Sequence, residues 1–465
     1  MTGAESVSGR ERGRYTRRMS KLAGAPSRRH PGRAFRWAVP AIALLLLLAM
    51  ALEAAHHLAR QPAIDLYNPW GVHVAHAALG GNPYVDTEAY SRTLDAAADG
   101  SESAELRSTN ALRRLIDPTA TPLFYTVFAF LPRDFAGARG VMAVLLYAAL
   151  LAAVWAMARM CGLGSWSGLG LAALVALTFA PFEVDARVGN VNALQVAAIV
   201  AFVHAARSGF AIPMVEALYL PALALFVAFK PNIAPVAAAL AVHFVFTRGR
   251  AAVLRGIAAS IATLAAAYAL AAWYFHSAAV WGDWYGFVHG PDGAILYAVR
   301  YGNASIAKLM SEYWPGIDPY AFGLLLGAAL AAFIAAALTA FGRDPAGARA
   351  RLREALADPW CMASVGVLFM FAMSPLLWPH YEVLALVPAF WLFRDGSPSR
   401  GVALCIVAAY VLLSRPLGAA LLWGHVAGAD FTALLVGWLP LAAAFCASLG
   451  RRAPAAGSRA PALDD

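Results

Sequence analysis

The sequence predicts an all-α polytopic membrane protein with about 12 transmembrane helices and a large first outer loop. Three observations carry that expectation. Of the 465 residues 61% are apolar and only 14% charged, where a soluble domain carries about 25% charged residues. The apolar residues arrive in blocks close to the roughly 20 needed to cross a bilayer, not in alternating patterns. The 36 Lys and Arg behind the net charge of +9 sit mostly in a leading tail and in short loops between blocks. That distribution orients a chain in a membrane and is not a nucleic-acid-binding surface. An ordinary soluble enzyme is excluded, because so little polar surface cannot cover a water-soluble body of this size.

Residues 1–36 form a basic cytoplasmic tail holding ten Lys and Arg. No small-residue cleavage pattern follows the first apolar block, 37–55, so it is expected to stay as an anchor. Residues 56–137 make the first outer loop. Spans follow at 138–159, 165–182, 189–206, 211–229, 231–247 and 253–276, then at 320–341, 360–377, 380–394, 401–422 and 429–449. Residues 277–319 form a second large outer loop, 450–465 a cytoplasmic tail, and 37–449 a single transmembrane domain. Placing both termini in the cytoplasm puts 24 of the 36 Lys and Arg there; six of the other twelve lie in the first outer loop, too long for the charge rule to govern, and a seventh, Arg139, directly follows it. Residues 121–133 are apolar but short and bounded by Pro122 and Pro132. Counting them as a span would turn the Arg-rich loops 248–255 and 343–353 outward, so an interfacial or re-entrant helix is expected. The four cysteines lack metal or redox spacing and read as reduced packing residues.

The polar chemistry then gathers on the outer side. Asp65, about ten residues past the first span, is held near the membrane surface. There it can cap the helix that starts at Leu66 or Asn68, the simpler reading, or serve as a general base on a hydroxyl. His73 and His76 are three apart without a third ligand and read as packed or exposed histidines. The Ala-rich stretch 86–117 reads as a solvated amphipathic helix or a flexible insert. Glu183, Asp185, Arg187, Asn190, Asn192 and Gln195 crowd one outer turn, where the amides can bind sugar hydroxyls or cap a helix. Lys230 is either a snorkelling lysine or a point charge for a lipid phosphate. The loop 277–319 interleaves Trp281, Trp284, Tyr285, Tyr297 and Tyr301 with Arg300 and Lys308, an interfacial belt or a saccharide platform; Asn303-Ala304-Ser305 matches a glycosylation sequon. His380 beside Trp378, at an outer turn between apolar helices, is an ionisable group at membrane depth and hence a functional candidate.

There is no P-loop, no G-x-S-x-G elbow and no soluble block large enough for a nucleotide-sugar domain. What is present resembles glycosyltransferase family 87 of the GT-C superfamily. The residues that carry the resemblance are D-L-Y at 65–67 with G-G-N-P-Y at 80–84, then G-N-V-N at 189–192, F-K-P at 229–231, G-N-A-S at 302–305 and S-P-L-L-W-P-H-Y at 374–381, in the same order. The chain departs from the family in carrying Asn190 where Gln is frequent, and in the length of its insert at 86–117. The resemblance implies a GT-C-type fold, making 37–449 a GT-C-like catalytic domain. It implies a hexosyltransferase using a polyprenyl-phosphate sugar, most often mannose, on the non-cytoplasmic face, with a glycolipid or glycan as acceptor. On that reading Asp65 is the base. Lys230, Arg300, His380, Asn190 and Asn192 bind the donor, Tyr84 and Trp378 bind the acceptor, and no metal or other cofactor is needed. The remaining partners are membrane lipids, with no nucleic acid, and the Ala-rich composition points to a bacterial inner (plasma) membrane.

Two rivals share the predicted spans. A transporter or flippase of a lipid-linked sugar would carry ionisable groups at mid-membrane depth on several spans, whereas Glu216 is the main one here, and no repeated halves are visible. Another GT-C enzyme, such as a glycan polymerase or a protein mannosyltransferase, would keep the fold and change donor or acceptor.

Overall fold

The structure, a computed structural model, describes residues 33–451 except 61, 102–103, 114–115, 291–302, 304, 315, 341–344, 395–397 and 415–436. The described residues are helical, without a named strand; an isolated bridge pairs Phe179 with Ser414. A long first helix, α1 (Arg33–Arg60), leads into α2 (Ile64–Leu79), α3 (Thr87–Asp99), α4 (Ala104–Arg113) and the short α5 (Pro122–Phe128). Next come α6 (Phe135–Met160), α7 (Ser165–Thr178), α8 (Ala180–Val188), α9 (Asn192–Arg207) and α10 (Pro213–Phe229). After a 3-10 turn at Pro231–Ile233 follow α11 (Ala234–Thr247), α12 (Arg250–Tyr274), α13 (Val280–His289), α14 (Ile306–Tyr313) and α15 (Pro319–Ala340). The chain ends with α16 (Pro345–Ala357), α17 (Pro359–Met373), a 3-10 turn at Pro379–Ala385, α18 (Leu386–Phe393), α19 (Arg400–Leu413) and α20 (Leu439–Arg451).

Local chemistry sets many of these boundaries. Asp134, Asp358, Thr121 and Ser305 each accept a backbone N–H at the start of α6, α17, α5 and α14. Proline opens α5, α10 and α17, where its missing N–H costs nothing.

By length and apolarity four helices are able to cross a membrane: Trp37–Leu58, Phe135–Met160, Arg250–Tyr274 and Pro319–Thr339. Two bent pairs raise this to six if each is one broken span: α8 with α9, at 117°, and Ala346–Ala357 with α17, at 87°. Five of the remaining predicted spans survive as apolar helices of 10–17 residues. The predicted span 380–394 is a 3-10 turn followed by eight helical residues. Apolarity marks where a chain is greasy, but Pro181, Pro375 and Pro379 break the helix inside greasy stretches. Helix α5, seven residues long, rises about 10 Å and does not cross. α1, α12 and α15 turn Leu44, Leu48, Leu52, Ile257, Ile261, Leu324 and Phe333 outward, an apolar surface suited to lipid and not to water.

Helix pairs approach closely where glycine permits it. A Cβ on Gly366 of α17 would lie 2.4 Å from the Val236 Cα of α11, and one on Gly323 of α15 would lie 2.2 Å from the Met373 carbonyl oxygen. The Gly162–Gly168 stretch serves the same end, Gly168 seating α7 against Trp155 of α6. The insert 86–117 is amphipathic but docked: Tyr90, Leu94, Ala98, Leu106 and Ile116 are buried, and Asn110 and Asp117 accept hydrogen bonds from Tyr67 and Asn68 of α2. The four cysteines are free. Replacing Gly366 by Val is expected to destabilise the fold by about 1–3 kcal/mol through overpacking, read as a lower midpoint of thermal unfolding in detergent.

Candidate active site

Four of the residues singled out in the sequence meet at one amide. Asp65 lies in the first turn of α2, where the helix dipole favours a carboxylate; the N-cap position is Ala63, so Asp65 is not the cap the simpler reading made it. Gly189 ends α8 in the left-handed conformation at φ 71°, and the chain reverses to start α9. A Cβ on Gly189 would lie 2.7 Å from the Leu66 Cβ, so glycine brings the turn directly against α2. Asn190 follows, and its Nδ2 donates to Asp65 Oδ2 at 2.8 Å. The same nitrogen lies 3.1 Å from His380 Nε2, and His380 Nε2 is 3.7 Å from Asp65 Oδ2. Asn190 Oδ1 accepts from Lys230 Nζ at 2.7 Å and from the Val191 N–H at 2.7 Å. These two donors fix the amide orientation, so Nδ2 supplies both of its hydrogens and His380 accepts at Nε2.

A second carboxylate holds the turn. Asp185 of α8 is fully buried; its Oδ1 accepts from Asn192 Nδ2 at 2.7 Å and its Oδ2 from the Ala193 N–H at 2.9 Å, capping α9 from the preceding helix. Asn192 Oδ1 in turn accepts from Lys230 Nζ at 3.1 Å. The ammonium lies 4.9 Å from the centre of the Tyr381 ring, a cation–π contact. Burial pushes Lys230 down to about 8 against the pull of Asp185 and Asp65, leaving it mostly charged at neutral pH. Burial also pushes His380, in the 3-10 turn, down to about 4, with Asp65 opposing and Lys230 adding to the shift. The imidazole is therefore neutral, consistent with its role as acceptor.

His380 is placed by a motif that the sequence reading treated as a sequon. Asn303 is fully buried, so it is no glycan acceptor; its Nδ2 donates to the Pro375 carbonyl at 2.9 Å and its Oδ1 accepts the Leu377 N–H at 2.8 Å. This two-sided clamp fixes the strand-like segment 374–378 ahead of the 3-10 turn, so G-N-A-S and S-P-L-L-W-P-H-Y act as one unit. Asp185 was singled out in its outer turn and Asn303 in the second outer loop without the parts they play here, whereas Tyr381 was signalled only by its place within S-P-L-L-W-P-H-Y.

Of the other candidates, Trp378 is half-buried at the start of the 3-10 turn, two residues from His380. Tyr84 is buried beside Tyr125 and Phe287, and its hydroxyl donates to the Ala120 carbonyl at 2.6 Å, so it ties loops together. Arg300 lies outside the described residues. His76 hydrogen-bonds Tyr90 at 3.0 Å, and among the described residues no three His, Cys, Asp or Glu side chains group as metal ligands would.

The arrangement holds a carboxylate and an ammonium at the two ends of one amide, groups chemically suited to a hydroxyl and to an anion respectively. Gly189→Ala is expected to cost about 1–2 kcal/mol from the left-handed backbone alone. The clash with Leu66 adds to that, and the midpoint of thermal unfolding should fall accordingly.

Comparison with known proteins supplies the family. The model of glycosyltransferase family 87 matches residues 117–375, more than half the chain, a stretch that includes Asn190, Asn192 and Lys230 and stops five residues before His380. Searches of curated proteins and of solved structures find no match. With an all-helical body, apolar helices long enough to cross a bilayer and this match, the chain is a membrane glycosyltransferase belonging to glycosyltransferase family 87.

Proposed function

We propose that the protein transfers a hexose, with mannose the first sugar to test, from a polyprenyl-phosphate donor to a glycolipid or glycan acceptor. The transfer takes place on the non-cytoplasmic face of the membrane and inverts the anomeric centre. The shorter apolar helices also cross in this reading, giving the GT-C architecture of about twelve spans with both termini in the cytoplasm. The observation that carries it is the Asp65–Asn190–Lys230 array: a carboxylate and a cation bridged by one amide.

In the reaction the acceptor hydroxyl attacks the anomeric carbon as Asp65 takes its proton, and the C1–O bond to phosphate breaks with both electrons leaving on oxygen. The phosphate departs as an anion stabilised by Lys230 and needs no proton from the protein. Neutral His380 shares the Asn190 amide with Asp65 and keeps the carboxylate oriented toward the acceptor. Asn192 holds the ammonium toward the departing oxygen. A single carboxylate suffices because no glycosyl-enzyme intermediate is formed.

Transfer of radiolabelled mannose from polyprenyl-phosphate mannose to a membrane-lipid extract tests this directly. Asp65→Asn, folded as well as wild type, is expected to lose about 10²–10⁴-fold in rate, and equal transfer by both proteins would remove Asp65 from the mechanism. Because Lys230 carries its charge below about 8, kcat/KM for the donor should fall as pH rises through that value. In Lys230→Arg, whose guanidinium stays charged, the alkaline fall should disappear from the accessible range; its persistence would assign it to another group.

A further inference from the structure

A recess of about 20 Å³ opens between the C-terminal end of α1, the first half of α6 and the last turn of α8, at the start of α2. It has room for one oxygen-sized group, with the rest of any ligand lying outside. Arg139, Arg187 and His57 line it, so its charged groups are cations. The recess also borders the reactive cluster. Leu66 and Gly189 form part of its wall; Leu66 follows Asp65 and Gly189 precedes Asn190, each pair about 3.8 Å apart at Cα. His57 is buried and held by Glu53, 3.2 Å away. Arg139 is buried too, and its Nη2 donates to the Leu58 carbonyl at 2.5 Å, closing the C-terminus of α1. That duty accounts for Arg139 without a ligand. Arg187 has no comparable duty: it is exposed at the end of α8 and makes no hydrogen bond or ion pair among the described residues. Ala63, the N-cap of α2, supplies no side-chain acceptor, so the positive end of this 16-residue helix adds to the same field.

Two guanidiniums on one recess repel each other, and an anion seated between them relieves that repulsion. Guanidinium is also the side chain best matched to the oxygens of a phosphate or carboxylate. We propose that the recess receives an anionic oxygen of the acceptor, so that the sugar is passed to an acidic glycolipid or glycan whose charged group lies near the hydroxyl that Asp65 deprotonates. The assignment rests on the transfer reaction proposed above. It adds the charge class of the acceptor, and it makes Arg187 a specificity-determining residue. Donor and acceptor then each bring one anion, and the chain sorts them with different cations: Lys230, after α10, for the departing phosphate and Arg187, on α8, for the acceptor.

The test separates acceptor from donor. A membrane-lipid extract is divided by anion exchange, and radiolabelled mannose from polyprenyl-phosphate mannose is expected to enter the acidic fraction and not the neutral one. Arg187→Gln should raise KM for the acidic fraction about tenfold, the weight of one hydrogen bond between charged groups, and leave KM for the donor unchanged. Arg187→Lys, which keeps the charge, should recover part of that loss. Labelling of neutral lipids, an unchanged acceptor KM in Arg187→Gln, or an equal rise for donor and acceptor overturns the assignment and leaves the transfer reaction standing. Binding gives a readout independent of transfer. With the donor site filled by undecaprenyl phosphate, dodecyl phosphate or dodecanoate should raise the unfolding midpoint of wild type and not of Arg187→Gln, while dodecanol should raise neither. That pattern in a wild-type protein that transfers no mannose would support the recess and remove the proposed activity. No shift with either acid, or an equal shift in Arg187→Gln, overturns the recess as an anion site.

Discussion

The side-chain amide of Asn190 is the contact on which the rest of the site depends. An amide offers two donors on one atom and an acceptor on another, and here every one is engaged: Asp65 and His380 on Nδ2, Lys230 and the Val191 N–H on Oδ1. The amide holds carboxylate and ammonium at a fixed spacing, and the cost of partly burying them is met by hydrogen bonds.

Holding one amide so closely requires rigid surroundings, and the chain provides them with backbone devices. Gly189 permits the reversal between α8 and α9 that sets Asn190 against α2. Asp185 closes the open N-terminus of α9 and orients Asn192, which in turn orients Lys230. Asn303 grips the segment leading to His380 from both sides. Each device satisfies polar groups that would otherwise be unpaired inside an apolar body, where the penalty for an unmet hydrogen bond is greatest. Glu382, two residues beyond His380, is an exception: it is fully buried and its carboxylate has no hydrogen-bond partner among the described residues.

Much of the site was legible before the fold was known. Asp65, Asn190, Asn192, Lys230 and His380 were all singled out from short motifs, and the structure brings these five together from four separate segments. Tyr84 was read with them through the resemblance carried by G-G-N-P-Y, and its hydroxyl donates to the Ala120 carbonyl. Asn303 was visible as a sequon and within G-N-A-S, and neither pattern reveals that the amide is buried.

Composition and charge distribution by themselves determined that the chain is helical and membrane-embedded, because the requirement for continuous apolar surface in lipid is written residue by residue. They also located the polar motifs that carry chemistry. Tertiary structure alone decided how the breaks are built: residues 183–188, expected between spans, are helical within α8 and the reversal comes at Gly189, while the predicted span 380–394 opens as a 3-10 turn. It alone decided which residues share a hydrogen bond, because Asn190 and His380 are 190 positions apart and meet only through the packing of α8 against the 3-10 turn. Local physics is read along the chain, whereas a network of amide, carboxylate and ammonium exists only once distant segments have been brought within about 3 Å of one another.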